Sequence, residues 1–168
     1  PVYHLPDGLA PAGLPKLPDK PIVLHPFSRG QGKSLSIAET RELCEALAPH
    51  PVLLAGIPDK PVTGGWPDHV VDLLGKTDLS GLIFLLRRAA WTISVDSGPM
   101  HLAAGLSDRV LSLHTWSNPA MVGPRRPGAW VWRDGRFVSM ADLDPAEFPE
   151  RRDLAASFAA RERLLEPE

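Results

Sequence analysis

A chain of 168 residues, 43% hydrophobic and with a formal net charge of −2, can bury one core of ordinary size and is too near neutrality to coat nucleic acid. No apolar run approaches the roughly 18 residues that a bilayer span needs, and no stretch reads as a signal peptide. The lone cysteine, Cys44, can form no intrachain disulfide, which points to a reducing, cytoplasmic compartment.

The chain opens "PVYHLPDGLAPAGLPKLPDKP", with six prolines in 21 residues and no initiator Met. Such a segment is stiff, extended and poor at forming a core, so residues 1–20 read as a linker from a preceding domain that the sequence lacks. "PIVLH" (21–25) follows as a short buried strand. Ser36 and Glu39 form a capping box for a helix from Ile37, whose inward positions are Ile37, Thr40, Cys44 and Leu47. "PVLLAG" (51–56) is a second strand, and "HVVDLLG" (69–75) favours a short strand over a helical turn.

"TDLSGLIFLLRRAA" (77–90) reads as a buried helix capped by Thr77 or Asp78 and closed by Arg87 and Arg88. "WTISVD" (91–96) is a strand, and "PMHLAAGL" (99–106) a helix with Pro99 in its first turn. "RVLSLH" (109–114) reads as the last parallel strand. Beyond it, "WVWRDGRFVSM" forms a hairpin about Asp134-Gly135, and a charged, Ala-rich helix begins near Glu150. The alternation implies an α/β fold: a Rossmann-like parallel sheet with helices on both faces, plus a C-terminal hairpin and helix. Residues 21–168 form that domain.

Ligands of such sheets collect at the carboxyl ends of the strands. Two loops there carry polar chemistry. "HPFSRGQGKSLS" (25–36) nearly spells a triphosphate loop, but Phe27 stands where the first glycine belongs, and the capping box starts the helix after Lys33. The alternative is a loop that holds Ser28, Arg29 and Lys33 over the crevice, where two cations and free amides suit a diphosphate. In "SVDSGPMHLAA" a strand leads through Asp96, Ser97 and Gly98 into a helix start, an anion site that Gly98 leaves open. Asp96 suits a neighbouring sugar hydroxyl, and His101 lies in the first turn. Read alone, His101 is as well a structural histidine, and Asp96 a cap.

"DSGPMHLAAGL", with "GKTDL" and "SGLIFLLRRAA" upstream, resembles the C-terminal half of the heptosyltransferase family over residues 21–128. The resemblance implies the donor-binding half of a two-domain GT-B glycosyltransferase that takes ADP-heptose or another nucleotide-diphospho-sugar, with no further cofactor and no metal. It implies Asp96, Ser97 and Gly98 as contacts to donor sugar and diphosphate, with His101 and Lys33 at matching positions. The family's loop continues "K-R-W", whereas this one reads "KSLS". An acidic residue that contacts the nucleoside has two candidates, Asp59 and Asp68. The implied reaction is inverting transfer, with Lys33 and Arg29 as catalytic cations that stabilise the departing diphosphate. The general base and the glycan or lipid-linked acceptor would belong to the missing N-terminal domain. The setting would be bacterial surface glycan or lipopolysaccharide synthesis, in the cytoplasm or at the inner face of the membrane. Two other readings stand beside it: a non-catalytic nucleotide-sugar module, and a phosphotransferase using the broken triphosphate loop. Trp116, Trp130 and Trp132 read first as packing for the hairpin, with Trp116 alternatively lining the ligand pocket.

Overall fold

The computed structural model describes residues 4–62 and 64–150; the expected C-terminal helix lies outside them. Seven strands form one sheet in the order β3-β2-β1-β4-β5-β6-β7. These are β1 (Ile22–His25), β2 (Val52–Leu54), β3 (Val70–Asp72), β4 (Trp91–Val95), β5 (Val110–Leu113), β6 (Trp130–Arg133) and β7 (Arg136–Ser139). The first six run parallel, and β7 returns antiparallel on β6. The helices are α1 (Ile37–Ala46), α2 (Leu79–Leu86), α3 (Gly98–Leu106) and the single turn α4 (Pro119–Val122).

Strand alternation divides the core between the two faces of the sheet. Val23, Leu53 and Val110 point to one side, where they meet Leu82, Leu85 and Leu86 of α2 and Met100 and Ala103 of α3. Leu24, Leu54, Ile93, Val95, Leu113 and Trp132 point to the other, against Cys44 of α1 and Leu35. Thr40 and Cys44 are the fully buried positions of α1, and the Ser36–Glu39 capping box is present in both directions. Burial pushes the Cys44 thiol up to about 11, with the Glu45 charge adding to it, so it behaves as a small apolar side chain.

Three expectations change. Val110–Leu113 is not the last parallel strand: Trp130–Arg133 pairs parallel with it, Leu111 opposite Trp130 and Leu113 opposite Trp132. The hairpin is therefore built onto a sixth parallel strand, and its turn has the positive φ of 57° at Asp134 and 78° at Gly135 that a tight connection demands. The second helix is shorter than 77–90. It starts after Asp78, which caps Gly81 N, and ends at Arg87. Arg88 does bond the Phe84 carbonyl at the helix end, but Arg87 reaches away to the carbonyls of Leu5 and Pro6.

The third change concerns that N-terminal stretch. It carries no helix or strand but is laid along α2. Leu9 N donates to Ser80 Oγ, Pro11 abuts Gly81, and Leu14 and Leu17 pack against the core. Prolines keep a chain extended without preventing its apolar side chains from being buried.

Candidate functional site

The strand order reverses between β1 and β4, and the loops that leave these two neighbours separate there to open a crevice. It measures about 740 Å³. Ser28, Arg29, Lys33, Asp96, Ser97, Gly98 and His101 all line it. The two stretches singled out in the sequence thus face one space.

The loop after β1 is not a triphosphate loop. Phe27 is buried, and α1 begins at Ile37, past Lys33 and Ser34. The Ser34 hydroxyl is committed to its own loop: it donates to Ser28 O at 2.9 Å and accepts from Ser28 N at 2.8 Å. Ser28 Oγ accepts from Gly30 N, closing a compact turn from which Arg29 projects, exposed. The loop is also fastened from β5's side of the crevice. Thr115 Oγ1 donates to Gly32 O at 2.9 Å and Trp116 Nε1 to Gln31 O at 3.1 Å. The Lys33 ammonium lies 4.9 Å from the Trp116 ring centre, a favourable cation–π distance. Trp116 therefore supports the lysine loop rather than the hairpin, whereas Trp132, on β6, is buried in the sheet core and Trp130, on the same strand, is exposed.

Across the crevice, Lys33 Nζ stands 2.7 Å from Asp96 Oδ2. Asp96 is 5% exposed. Burial alone would push its carboxyl up, but the Lys33 and Ser117 hydrogen bonds and nearby positive charge outweigh it and hold it below the ordinary carboxylate range. In α3, Ser97 occupies the N-cap position, yet its hydroxyl makes no capping bond and turns back to Val95 O at 3.1 Å. By contrast α1, α2 and α4 are capped by Ser36, Asp78 and Asn118. The helix start that faces the crevice is thus without a side-chain cap, and a Cβ placed on Gly98 would meet nothing within 4 Å. Backbone amides, a helix dipole and open space are the ingredients of an anion site.

Several lining groups were not singled out in the sequence, His25 and Gly56 among them. His25 ends β1 on the crevice floor, and burial lowers its imidazole to about 4. Its position as the last residue of the strand at the switch point was the available signal. Gly56, at φ +122°, sits against His25 and Phe27, and a Cβ there would stand 3.2 Å from each. Of the two candidate acids in the 57–69 segment, Asp59 lines the crevice. Among the described residues no cluster of His, Cys, Asp or Glu could hold a metal ion, and no helix is long and apolar enough to cross a membrane.

A family model described as glycosyltransferase family 9 (heptosyltransferase) matches residues 8–142, a span that includes the hairpin and most of the proline-rich segment. Among solved structures, the E. coli ADP-heptose lps heptosyltransferase II is 21% identical with a TM-score of 0.59, covering 92% of this chain and 50% of that one. The E. coli heptosyltransferase WaaC with ADP is 21% identical with a TM-score of 0.54, covering 80% and 44%. The glycosyl transferase family 9 structure from Veillonella parvula DSM 2008 is 19% identical with a TM-score of 0.55, covering 88% and 46%. No curated protein matches the chain. At these identities the likenesses show a shared fold, and the chain spans about half the length of the structures it matches. With four-fifths of its length matched by the family model, the chain belongs to glycosyltransferase family 9, the heptosyltransferase family.

Proposed function

We propose that residues 21–168 are the donor-binding domain of an inverting glycosyltransferase, with the diphosphate of a nucleotide-sugar seated between Lys33 and the start of α3. The observation that carries this reading is the convergence of one lysine and one uncapped helix start on the same crevice at the sheet's switch point. In the free chain Lys33 is paired with Asp96. A diphosphate offers it more negative charge, and Asp96 is then released to accept from a sugar hydroxyl. Arg29, exposed on the same loop, adds a second cation. Ser28 and Ser97 can turn their hydroxyl protons outward to phosphate oxygens, and His101 stands one helical turn further on. Asp59 is the acidic candidate for the nucleoside.

In the reaction the acceptor oxygen bonds to the anomeric carbon as the bond from that carbon to the diphosphate oxygen breaks. The electron pair leaves on the nucleoside diphosphate, where Lys33, Arg29 and the α3 amides meet the growing charge. The acceptor's proton passes to a base on the other half of the enzyme, which also presents the glycan or lipid-linked acceptor. That a structure of this fold is named for ADP-heptose and lps supports an ADP-linked sugar and surface-glycan synthesis; a place at the cytoplasmic side of the membrane is part of the same proposal.

Calorimetric titration tests the reading. ADP is expected to bind at least tenfold tighter than AMP, without any need for magnesium, and the 168-residue chain alone is expected to transfer no sugar. Equal affinities for ADP and AMP would remove the diphosphate site. Sugar transfer by the chain alone would remove the division into halves.

A further inference from the structure

Lys33 carries the reading above, and a lysine is a point charge on a flexible four-carbon stem. Two contacts besides Asp96 keep this one in place. The stem runs against Gly30 of its own loop: a Cβ at Gly30 would stand 2.8 Å from Lys33 Cδ and 3.3 Å from Cε. The ammonium, 2.7 Å from Asp96 Oδ2, also lies 4.9 Å from the centre of the Trp116 ring. Trp116 does not itself line the crevice. It stands in the loop after β5, and its Nε1 donates to Gln31 O at 3.1 Å, across 85 residues of sequence. Beside it, Thr115 Oγ1 donates to Gly32 O at 2.9 Å.

The two partners of the ammonium differ in kind. Asp96 holds it by opposite charge and a direct hydrogen bond, so a phosphate competes with the carboxylate for the same charge and the same N–H groups. An aromatic face attracts a cation through its quadrupole. It carries no net charge and takes no proton, so it leaves the ammonium's charge free for another partner. A cation resting on the ring can turn its N–H groups to a new acceptor without leaving its place. Gly30 completes the arrangement. It is not among the positive-φ glycines, so a side chain there would remove room for the lysine stem rather than strain the backbone.

We propose that Trp116 is a positioning residue: its ring, with Gly30 against the stem, seats the Lys33 ammonium so that it stays in the crevice when a ligand phosphate draws it from Asp96. The seat is a property of the ligand-free chain; its use by a phosphate rests on the diphosphate reading. The competing role for Trp116 is that of a tether, because its N–H and the Thr115 hydroxyl hold neighbouring carbonyls of the lysine loop. Side-chain chemistry separates the two. Phenylalanine at 116 keeps an aromatic face and loses the N–H, leucine loses both, and Thr115→Val removes a tether while leaving the ring.

The test begins without ligand. An aromatic ring current moves protons above its face upfield, so proton NMR should place the Lys33 ε-methylene upfield of the other lysines in the wild type and in Trp116→Phe. In Trp116→Leu and Gly30→Ala it should fall among them. Inorganic pyrophosphate, which has no ring of its own, should leave the wild-type displacement in place. ADP should bind about tenfold more weakly to Trp116→Leu, and within about threefold of wild type to Trp116→Phe and Thr115→Val. In a Lys33→Met background, Trp116→Leu should cost nothing further. An ordinary ε-methylene position in the wild type, its return to that position with pyrophosphate, equal losses in the Phe and Leu variants, or the full tenfold loss in the Lys33→Met background each overturns the proposal. If Trp116→Leu does not fold, the wild-type spectra with and without pyrophosphate and the Trp116→Phe titration still decide it. If the wild type binds neither pyrophosphate nor ADP, the diphosphate reading falls and the ligand step with it, while the ε-methylene position still decides whether the ring seats the lysine.

Discussion

The two loops that meet over the crevice are held by different means. The β4–α3 turn is local: strand, Asp96, Ser97, Gly98 and helix start follow one another, and backbone geometry alone aims the α3 amides outward. The lysine loop is held from elsewhere. Its Ser34 bonds back across six residues to Ser28, and Thr115 and Trp116 reach it from more than eighty residues away. One half of the site is therefore a property of a short segment, and the other is a property of the folded domain. Substitutions in the first should change ligand affinity with little change in stability, whereas those in the second should change both.

The largest expected effect lies under both loops, in the buried imidazoles. His25 is lowered to about 4 from an ordinary 6.5, so the unfolded chain takes up a proton at a pH where the folded chain does not. Stability is full above about pH 6.5 and falls as the pH drops towards 4, by roughly 3 kcal/mol for this group. His114 adds to the loss in the same direction, since it too is lowered to about 4. Thermal melts between pH 7 and 4 should show this steep decline, and His25→Gln should flatten it. A wild-type melting point that stays level across that interval would contradict the burial of both rings.

Lys33→Ala comes next. It removes the cation that pairs with Asp96 and leaves that carboxylate buried without it. ADP affinity should fall about 10- to 100-fold, as for loss of a charge-assisted hydrogen bond. Stability should drop by about 2 kcal/mol, below the full cost of breaking a buried pair because the lysine is partly exposed. Asp96→Ala should cost less stability, since Lys33 can turn to water. Denaturant titration of the two variants and their double mutant separates these terms, and equal losses in the two would show that the pair is not asymmetric.

Ser34→Ala breaks the loop's internal clamp. About 1 kcal/mol of stability should go with it, and ADP affinity should fall severalfold because the lysine is no longer pre-positioned. Gly98→Ala gives the sharpest contrast at the smallest cost. Its Cβ meets open space in the free chain, so stability should stay within about 0.5 kcal/mol, while a diphosphate that must approach the backbone is kept away. A melt and a titration on the same sample would show one unchanged and the other weakened.

How much of this was legible in the sequence follows the same divide. Asp96, Ser97, Gly98 and His101 could be placed because a strand, a turn and a capped or uncapped helix are local patterns, and Ser36–Glu39 fixed where α1 begins. Lys33 and Arg29 could be placed on the right loop. Their partners could not: nothing near Lys33 in sequence announces Trp116 or its pairing with Asp96. His114 read as the end of a strand with Ser112 inside it, and only the fold sets the buried imidazole between Ser112 and Ser117. The sixth parallel strand was hidden for a related reason. "WVWR" and "RFVS" pair with each other as a hairpin whether or not "WVWR" also joins β5, and only the sheet register distinguishes the two cases.

If Lys33 and the start of α3 grip one diphosphate, a crystal structure of the chain with ADP will hold the β-phosphate between Lys33 Nζ and the amides that follow Ser97, with the lysine drawn away from Asp96. A diphosphate bound elsewhere, or bound with Lys33 still on Asp96 and the α3 start untouched, would contradict it.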